Sequence, residues 1–111
     1  MGIGRTVLLL LLAAILEAGG DALIRTGLHG SSRALRFAWM GLGALVLFGY
    51  GYAVNSPDWD FGRLLGVYVV FFFVVAQVIS WIFFDQNPSP AVLVGGTFIV
   101  VGGIILVAWH S

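Results

Sequence analysis

The sequence predicts an all-α membrane protein with four transmembrane helices. The chain has 111 residues, of which 60% are hydrophobic and only 9% are charged. In a soluble domain about a quarter of the residues are charged, so this composition indicates a surface that faces lipid. Four apolar stretches approach the roughly 20 residues that a helix needs to cross a bilayer. None shows the period-2 alternation of a membrane barrel strand, so we expect helices.

Short turn-forming segments separate the four predicted helices, which cover residues 6–24, 34–54, 64–84 and 91–109 and form a single domain. Glycine and serine residues separate the first two helices, and a proline-containing loop separates the second from the third. Pro88 and Pro90 separate the last two. No segment of the sequence is long enough for a soluble domain, so we expect the function to reside within the membrane.

The charged and metal-binding residues exclude several classes of function. The net charge is zero and the five cations are all arginines, so no basic patch indicates binding to nucleic acid. The sequence has no cysteine and only two histidines, far apart, which leaves neither a disulfide nor a zinc site. We expect no enzymatic activity, no metal and no cofactor.

Two features of membrane insertion stay open on the sequence alone. Arg5 and Arg63 fall on one side of the predicted membrane and the other three arginines on the opposite side. This excess only slightly favours a cytoplasmic first loop, and dual topology, with both orientations inserted, fits as well. The N-terminus also resembles a secretory signal peptide, although Glu17 beside the supposed cleavage site argues against cleavage.

Glu17 is the strongest functional signal in the sequence. It lies about 11 residues into the first predicted helix, roughly 16 Å deep, near the middle of a hydrocarbon core of about 30 Å. Carboxylates at that depth usually serve the movement of ions or substrates. Burial disfavours the charged form, so this acid can exchange a proton for a cation. The alternative is a protonated acid that only hydrogen-bonds a neighbouring helix.

Residues one helical turn from Glu17 extend the candidate site. Ala13 and Gly20 share its face. Their small size can leave room beside the carboxylate, and it also suits close helix packing; both uses can hold at once. Asp21 is interpreted either as a second acid on the access path or as a partner of Arg25 near the helix end. All four of these sites belong to the first predicted helix.

Tyr68 is the candidate that the third helix contributes. It can stack on a cation or donate a hydrogen bond to Glu17; alternatively it belongs to the aromatic belt at the membrane interface. Gln77 lies about half a turn away around the same helix, so the two side chains cannot line one cavity equally well. The predicted proton- and substrate-binding residues are therefore Glu17, Tyr68, Gly20, Ala13 and Asp21.

The fourth helix carries two glycine pairs that predict close helix association. Gly95 and Gly102 are seven residues apart, as are Gly96 and Gly103. This spacing keeps each pair on one stripe of a helix, and a stripe of small residues lets another backbone approach closely. We predict these four glycines as a dimer interface.

The chain resembles the small multidrug resistance family of the drug/metabolite transporter superfamily. Residues 12–25 (LAAILEAGGDALIR) resemble its helix-one motif, and residues 80–86 (SWIFFDQ) resemble the end of its third helix. Residues 95–103 (GGTFIVVGG) resemble its helix-four dimerisation stripe. The sequence departs from the family where Tyr68 replaces a tryptophan and where Ala44 stands near the position of a binding tyrosine.

This resemblance implies an antiparallel, dual-topology homodimer that is multi-pass in the cell (inner) membrane. It also implies proton-coupled export of small organic cations by alternating access, with Glu17 as the essential carboxylate. The expected partners are membrane lipid, a small cationic substrate, protons and a second copy of the chain.

Two other functions stay open. Residues 87–103 also resemble the small flippase subunits that move lipid-linked aminosugars, although those lack a glutamate in the first helix. A membrane assembly protein without transport activity, in which Glu17 only holds helices together, is the third hypothesis.

Overall fold

The computed structural model describes residues 3–109, which form four α-helices in sequence order. They are α1 (Ile3–Leu28), α2 (Arg33–Val54), α3 (Phe61–Phe84) and α4 (Pro90–Ala108). Each is long and apolar enough to cross a membrane, and residues 3–109 contain no strand. The predicted fold class is confirmed: the chain is an all-helical, multi-pass membrane protein. The homodimer stays a prediction.

Two helix ends follow directly from local residue chemistry. Ser89 precedes α4 and its hydroxyl accepts a backbone N–H hydrogen bond at 3.2 Å, while Pro90 occupies the first helical position, where its missing N–H costs nothing. Asp85 ends α3 in the left-handed region, with φ of 54°. The Gln86 N–H then donates to the Ser80 carbonyl at 3.0 Å, which closes the last turn.

Two helices begin or end beyond their predicted limits. α1 continues to Leu28 rather than ending at residue 24, because the long side chain of Arg25 can extend towards water from the end of a span. α3 begins at Phe61 rather than at residue 64. The three added residues include Arg63, whose guanidinium has a partner on α4 that the sequence did not reveal.

The helices form a thin slab with α1 inside it. α1 packs against α2 and α3, and α4 packs against α3. The slab measures 52 × 33 × 19 Å, and its thinnest dimension is less than two helix diameters of about 10–12 Å each. Its small core is buried between α1, the end of α2 and the start of α3 and contains Leu10, Ala13, Ala14, Ala53, Val54, Leu64, Val67 and Tyr68.

α1 and α2 approach each other backbone to backbone. A Cβ atom placed on Gly20 would lie 3.1 Å from the Gly43 carbonyl oxygen and 2.8 Å from the Leu47 side chain. A Cβ atom on Gly43 would lie 2.8 Å from the Gly20 carbonyl oxygen and 2.7 Å from the Ile24 side chain. The two glycines thus permit the close approach that small residues allow between membrane helices.

α3 and α4 meet differently, with a glycine of one helix facing a side chain of the other. Gly96 of α4 faces the ring of Phe73, and a Cβ atom there would lie 2.5 Å from it. Gly103 of α4 faces Val70 in the same way. At the end of this contact Arg63 donates from Nε to the Leu106 carbonyl at 3.0 Å, which satisfies an oxygen that the end of a helix leaves free.

Candidate functional site

Glu17 and Tyr68 join α1 to α3 by a short hydrogen bond. The Tyr68 hydroxyl donates to Oε1 of Glu17 at 2.6 Å. Glu17 is half-buried near the middle of α1, and Tyr68 is only 4% exposed. Tyr68 therefore belongs to the core and not to an interfacial aromatic belt. The structure contains the hydrogen bond to Glu17 that the sequence analysis gave as one possible role of this tyrosine.

Two further aromatic rings surround this pair. The Tyr50 ring of α2 lies 5.6 Å from the Tyr68 ring between centroids, and the Phe72 ring of α3 lies 6.2 Å from it. Aromatic faces near a carboxylate can hold an organic cation by cation–π attraction as well as by charge.

Sequence reasoning missed Tyr50. The family resemblance places a binding tyrosine of the second helix near Ala44, where this sequence has none. Tyr50 lies further along the same helix. The available signal was a phenol in the apolar run of a predicted span, flanked by Gly49 and Gly51. Buried tyrosines usually have a polar partner for their hydroxyl, so this pattern deserved a functional interpretation.

Two predicted site residues lie elsewhere than expected. Gly20 was expected to leave room beside Glu17, but it faces α2, where its backbone meets Gly43. Ala13 is completely buried and belongs to the core. Their small size serves close packing rather than an open space beside the carboxylate. Periodicity put both residues near Glu17 along the helix, but it did not show which neighbouring helix each one faces.

Asp21 lines a groove of about 270 Å³ between α1 and α3, which we call the polar groove. The groove ends near the Glu17–Tyr68 pair, since its wall includes Ala18 and Phe72, but neither member of the pair lines it. The lining residues are Ala18, Asp21, Ala22, Arg25, Phe72, Ala76, Ile79, Ser80, Phe84 and Gln86. Asp21 itself is exposed. The groove therefore extends along α1 from Ala18 to Arg25 near the end of the helix.

The alternative interpretation of Asp21, an ion pair with Arg25, does not hold in this structure. Across residues 3–109 the two side chains form no ion pair within 4.0 Å. The Arg25 guanidinium instead lies 5.5 Å from the centroid of the Phe84 ring. Both charges in the groove are therefore free to meet a ligand.

The remaining polar candidates face away from Glu17. Gln77 lines a second cavity, of about 400 Å³, between α3 and α4, on the side of α3 opposite Tyr68, as the helical angle between the two predicts.

Gly96 and Gly103 are buried against α3 of the same chain, whereas a Cβ atom on Gly95 or Gly102 would meet nothing within 4 Å. Of these four glycines, only Gly95 and Gly102 have open space beside them for another molecule.

No metal-binding cluster exists in the described part of the chain. Residues 3–109 contain no group of three His, Asp or Glu side chains that could hold a metal ion. The chemistry available at the site is that of two carboxylates, one guanidinium, phenol hydroxyls and aromatic faces. Such a set can bind and release a cation or a proton.

Comparison with known proteins found relatives across the whole length of the chain. A Mycobacterium marinum protein described as a UPF0060 membrane protein is 35% identical over 106 residues, covering 94% of each chain. Proteins with the same description from Rhodococcus erythropolis and Arthrobacter sp. are each 33% identical. They cover 97% and 96% of this chain and 99% and 93% of their own length. No family model matches the chain, and no solved structure matches it.

Proposed function

We propose a transport function for this chain, which belongs to the UPF0060 family of membrane proteins. The proposed activity is proton-coupled export of small organic cations across the cell (inner) membrane, in functional likeness to the small multidrug resistance family. One observation carries the proposal: a half-buried glutamate in the middle of a span accepts a 2.6 Å hydrogen bond from a buried tyrosine. Carboxylates in that position usually mark a pathway for ions or substrates.

Proton and substrate compete for Glu17 in this mechanism. The Tyr68 hydroxyl orients the carboxylate and stabilises its charge, because hydrogen bonds to ionised groups are the stronger ones. The arriving cation displaces the proton, and the rings of Tyr50, Tyr68 and Phe72 provide faces on which an organic cation can rest. A proton from the opposite side then neutralises Glu17 and releases the cation.

The proposed transporter is an antiparallel homodimer. A slab 19 Å thick is too thin for one chain to enclose a transport path, and in this proposal a second copy completes the enclosure. The open glycines of α4, Gly95 and Gly102, give that copy a surface for close approach. In such a dimer each copy contributes one Glu17 to the transport path, and rocking of one copy against the other alternates access.

Proteoliposomes provide the decisive test. With an inward-directed proton gradient, wild-type protein is expected to drive exchange of a small amine or guanidinium compound, whereas Glu17→Gln is expected to abolish it. Asp58→Asn is the matched control, because it removes an exposed carboxylate from the loop between α2 and α3 and is expected to keep full activity. Proton-coupled exchange that persists in Glu17→Gln contradicts the mechanism.

One observation favours a second function, the flipping of a lipid with a polar headgroup. An apolar groove of about 500 Å³ adjoins the polar groove and shares Ala22, Ile79 and Phe84 with it. Two adjacent cavities, of which one has charged side chains and the other has none, suit an amphiphile whose head and tail occupy one each. Fluorescent phospholipid that changes leaflet in the same liposomes, without any amine exchange, would favour this function over cation export.

A further inference from the structure

The polar groove places opposite charges on one stripe of α1. Glu17, Asp21 and Arg25 follow one another at intervals of four residues, which puts neighbouring side chains about 5–6 Å apart at Cβ. Asp21 and Arg25 both line the groove. The order of charge, from the middle of the span towards its end, is negative, negative and positive.

The two outer charges do not neutralise each other. Over residues 3–109 Asp21 and Arg25 form no ion pair, and the Arg25 guanidinium lies over the Phe84 ring instead. A guanidinium on an aromatic face keeps its N–H edges available for a carboxylate or phosphate. Ser80 and Gln86 lie in the same wall and hydrogen-bond each other at 3.0 Å, so the groove also offers neutral polar contacts.

A ligand with cationic groups alone does not match this wall. Its charge would be attracted to Asp21 but repelled by Arg25 within the same 270 Å³. A ligand with a cationic nitrogen at one end and an anionic group about one helical turn away satisfies both charged side chains of the groove, and Glu17, one turn before Asp21, adds to the attraction for the nitrogen. Its nitrogen would lie towards Glu17 and Asp21, and its anionic end would meet Arg25.

We infer that the groove selects zwitterions: small molecules whose cationic nitrogen and anionic group are separated by a short aliphatic chain. The inference rests on the proposed function, because it names the substrate class of the same site. It adds a specificity-determining role for Arg25, which recognises the anionic end, and assigns Asp21 to the cationic end beside Glu17.

A matched pair of probes tests the inference with purified full-length protein. n-Butylamine and 4-aminobutanoate carry the same amine on the same length of chain, and only the second has a carboxylate. Binding is measured by calorimetry and by the proton that is released. Wild-type protein is expected to bind 4-aminobutanoate about tenfold more tightly, since a charge-assisted hydrogen bond is worth about one decade in affinity.

Variants of two arginines on the same side of the membrane sharpen the test. Arg25→Gln is expected to remove the preference for 4-aminobutanoate while leaving butylamine binding within about twofold, and Arg25→Lys is expected to retain most of the preference. Arg33 lines a different cavity, so Arg33→Gln is expected to change the affinity for neither butylamine nor 4-aminobutanoate. If Arg25→Gln does not fold, the preference of wild type and its retention in Arg25→Lys still decide the question.

The outcomes separate the inference from the function on which it rests. Butylamine that binds as tightly as 4-aminobutanoate, with proton release that depends on Glu17, overturns the zwitterion preference alone. An equal loss of preference in Arg33→Gln and Arg25→Gln also overturns it, because the effect is then one of general surface charge. Binding of neither probe, or binding that is unchanged in Glu17→Gln, contradicts the proposed cation site itself.

Discussion

The two helix pairs of this chain solve the same packing problem in different ways. Between α1 and α2, glycine faces glycine, and the atoms in contact include backbone carbonyl oxygens. Between α3 and α4, a glycine of one helix receives a side chain of the other, such as Phe73 against Gly96. Backbone cannot move aside, whereas a side chain can change rotamer. The first pair is therefore expected to behave as a rigid unit and the second as an adaptable one.

The candidate site lies where these two units meet. Glu17 belongs to the rigid pair and Tyr68 to the adaptable pair, and their hydrogen bond joins them. A proposed transporter needs a fixed carboxylate and a wall that can move around it. The difference in packing supplies both, and four substitutions test it.

The largest effect is expected from Gly43→Ala. The new methyl group would lie 2.8 Å from the Gly20 carbonyl oxygen, and overpacking of this kind costs about 3 kcal/mol when the neighbour cannot move. Thermal unfolding in detergent measures the loss. Gly41→Ala, on the same helix with nothing within 4 Å, is the control and should unfold like wild type. Equal loss in both variants would show that α2 tolerates no alanine, whatever it faces.

Tyr68→Phe is expected to cost less. It removes the hydrogen bond by which α3 holds Glu17 of α1, and a hydrogen bond to a charged group is worth about 2 kcal/mol. The ring and its contacts with Tyr50 stay. Proton release on cation binding should change together with stability. Tyr52→Phe, at a side chain that is 79% exposed on α2, should change neither; a similar response in both would contradict the role of Tyr68.

Gly96→Ala is expected to cost about 1 kcal/mol, because the Phe73 ring can turn away from the added methyl group. Gly95→Ala, one residue earlier with no neighbour within 4 Å, is its control within the monomer. The comparison of the helix pairs fails if Gly96→Ala destabilises the protein as much as Gly43→Ala does.

The smallest effect is expected from Arg63→Gln. The guanidinium donates to the Leu106 carbonyl at 3.0 Å and to the Val107 carbonyl at 3.4 Å, and a cation at the carboxyl end of a helix contributes about 0.5 kcal/mol. Faster amide exchange confined to the last turn of α4 is the expected readout. Arg5→Gln alters an exposed arginine and should leave that turn unchanged; no difference between the two would remove Arg63 from the contact.

Sequence reasoning predicted most of the fold because spanning helices follow from composition and length. It could not predict rotation about each helix axis, because an apolar residue is equally at home against lipid or protein. Gly96 and Gly103 thus looked like Gly95 and Gly102, although one pair faces α3 and the other is open. For the same reason the sequence left open whether Gly20 gives room beside Glu17 or packs against another helix; in the structure it packs against α2.

The candidate site was predicted in part. Glu17 was evident because a carboxylate in a hydrocarbon span is costly, and Tyr68 was a reasonable partner from its chemistry. Tyr50 and the groove that contains Asp21 and Arg25 depend on which helices become neighbours, and α1 had first to be placed between α2 and α3. Local spacing carries no information on that arrangement.

The contact between Gly20 and Gly43 also constrains how this lineage can change over generations. Every substitution at either glycine adds at least a Cβ atom that meets a carbonyl oxygen of the other helix. Single substitutions at these two positions are therefore expected to be destabilising. Positions of α3 that face the groove, such as Phe72 and Ser80, have no such restriction. Substitutions are therefore expected to accumulate at such positions sooner than at Gly20 and Gly43.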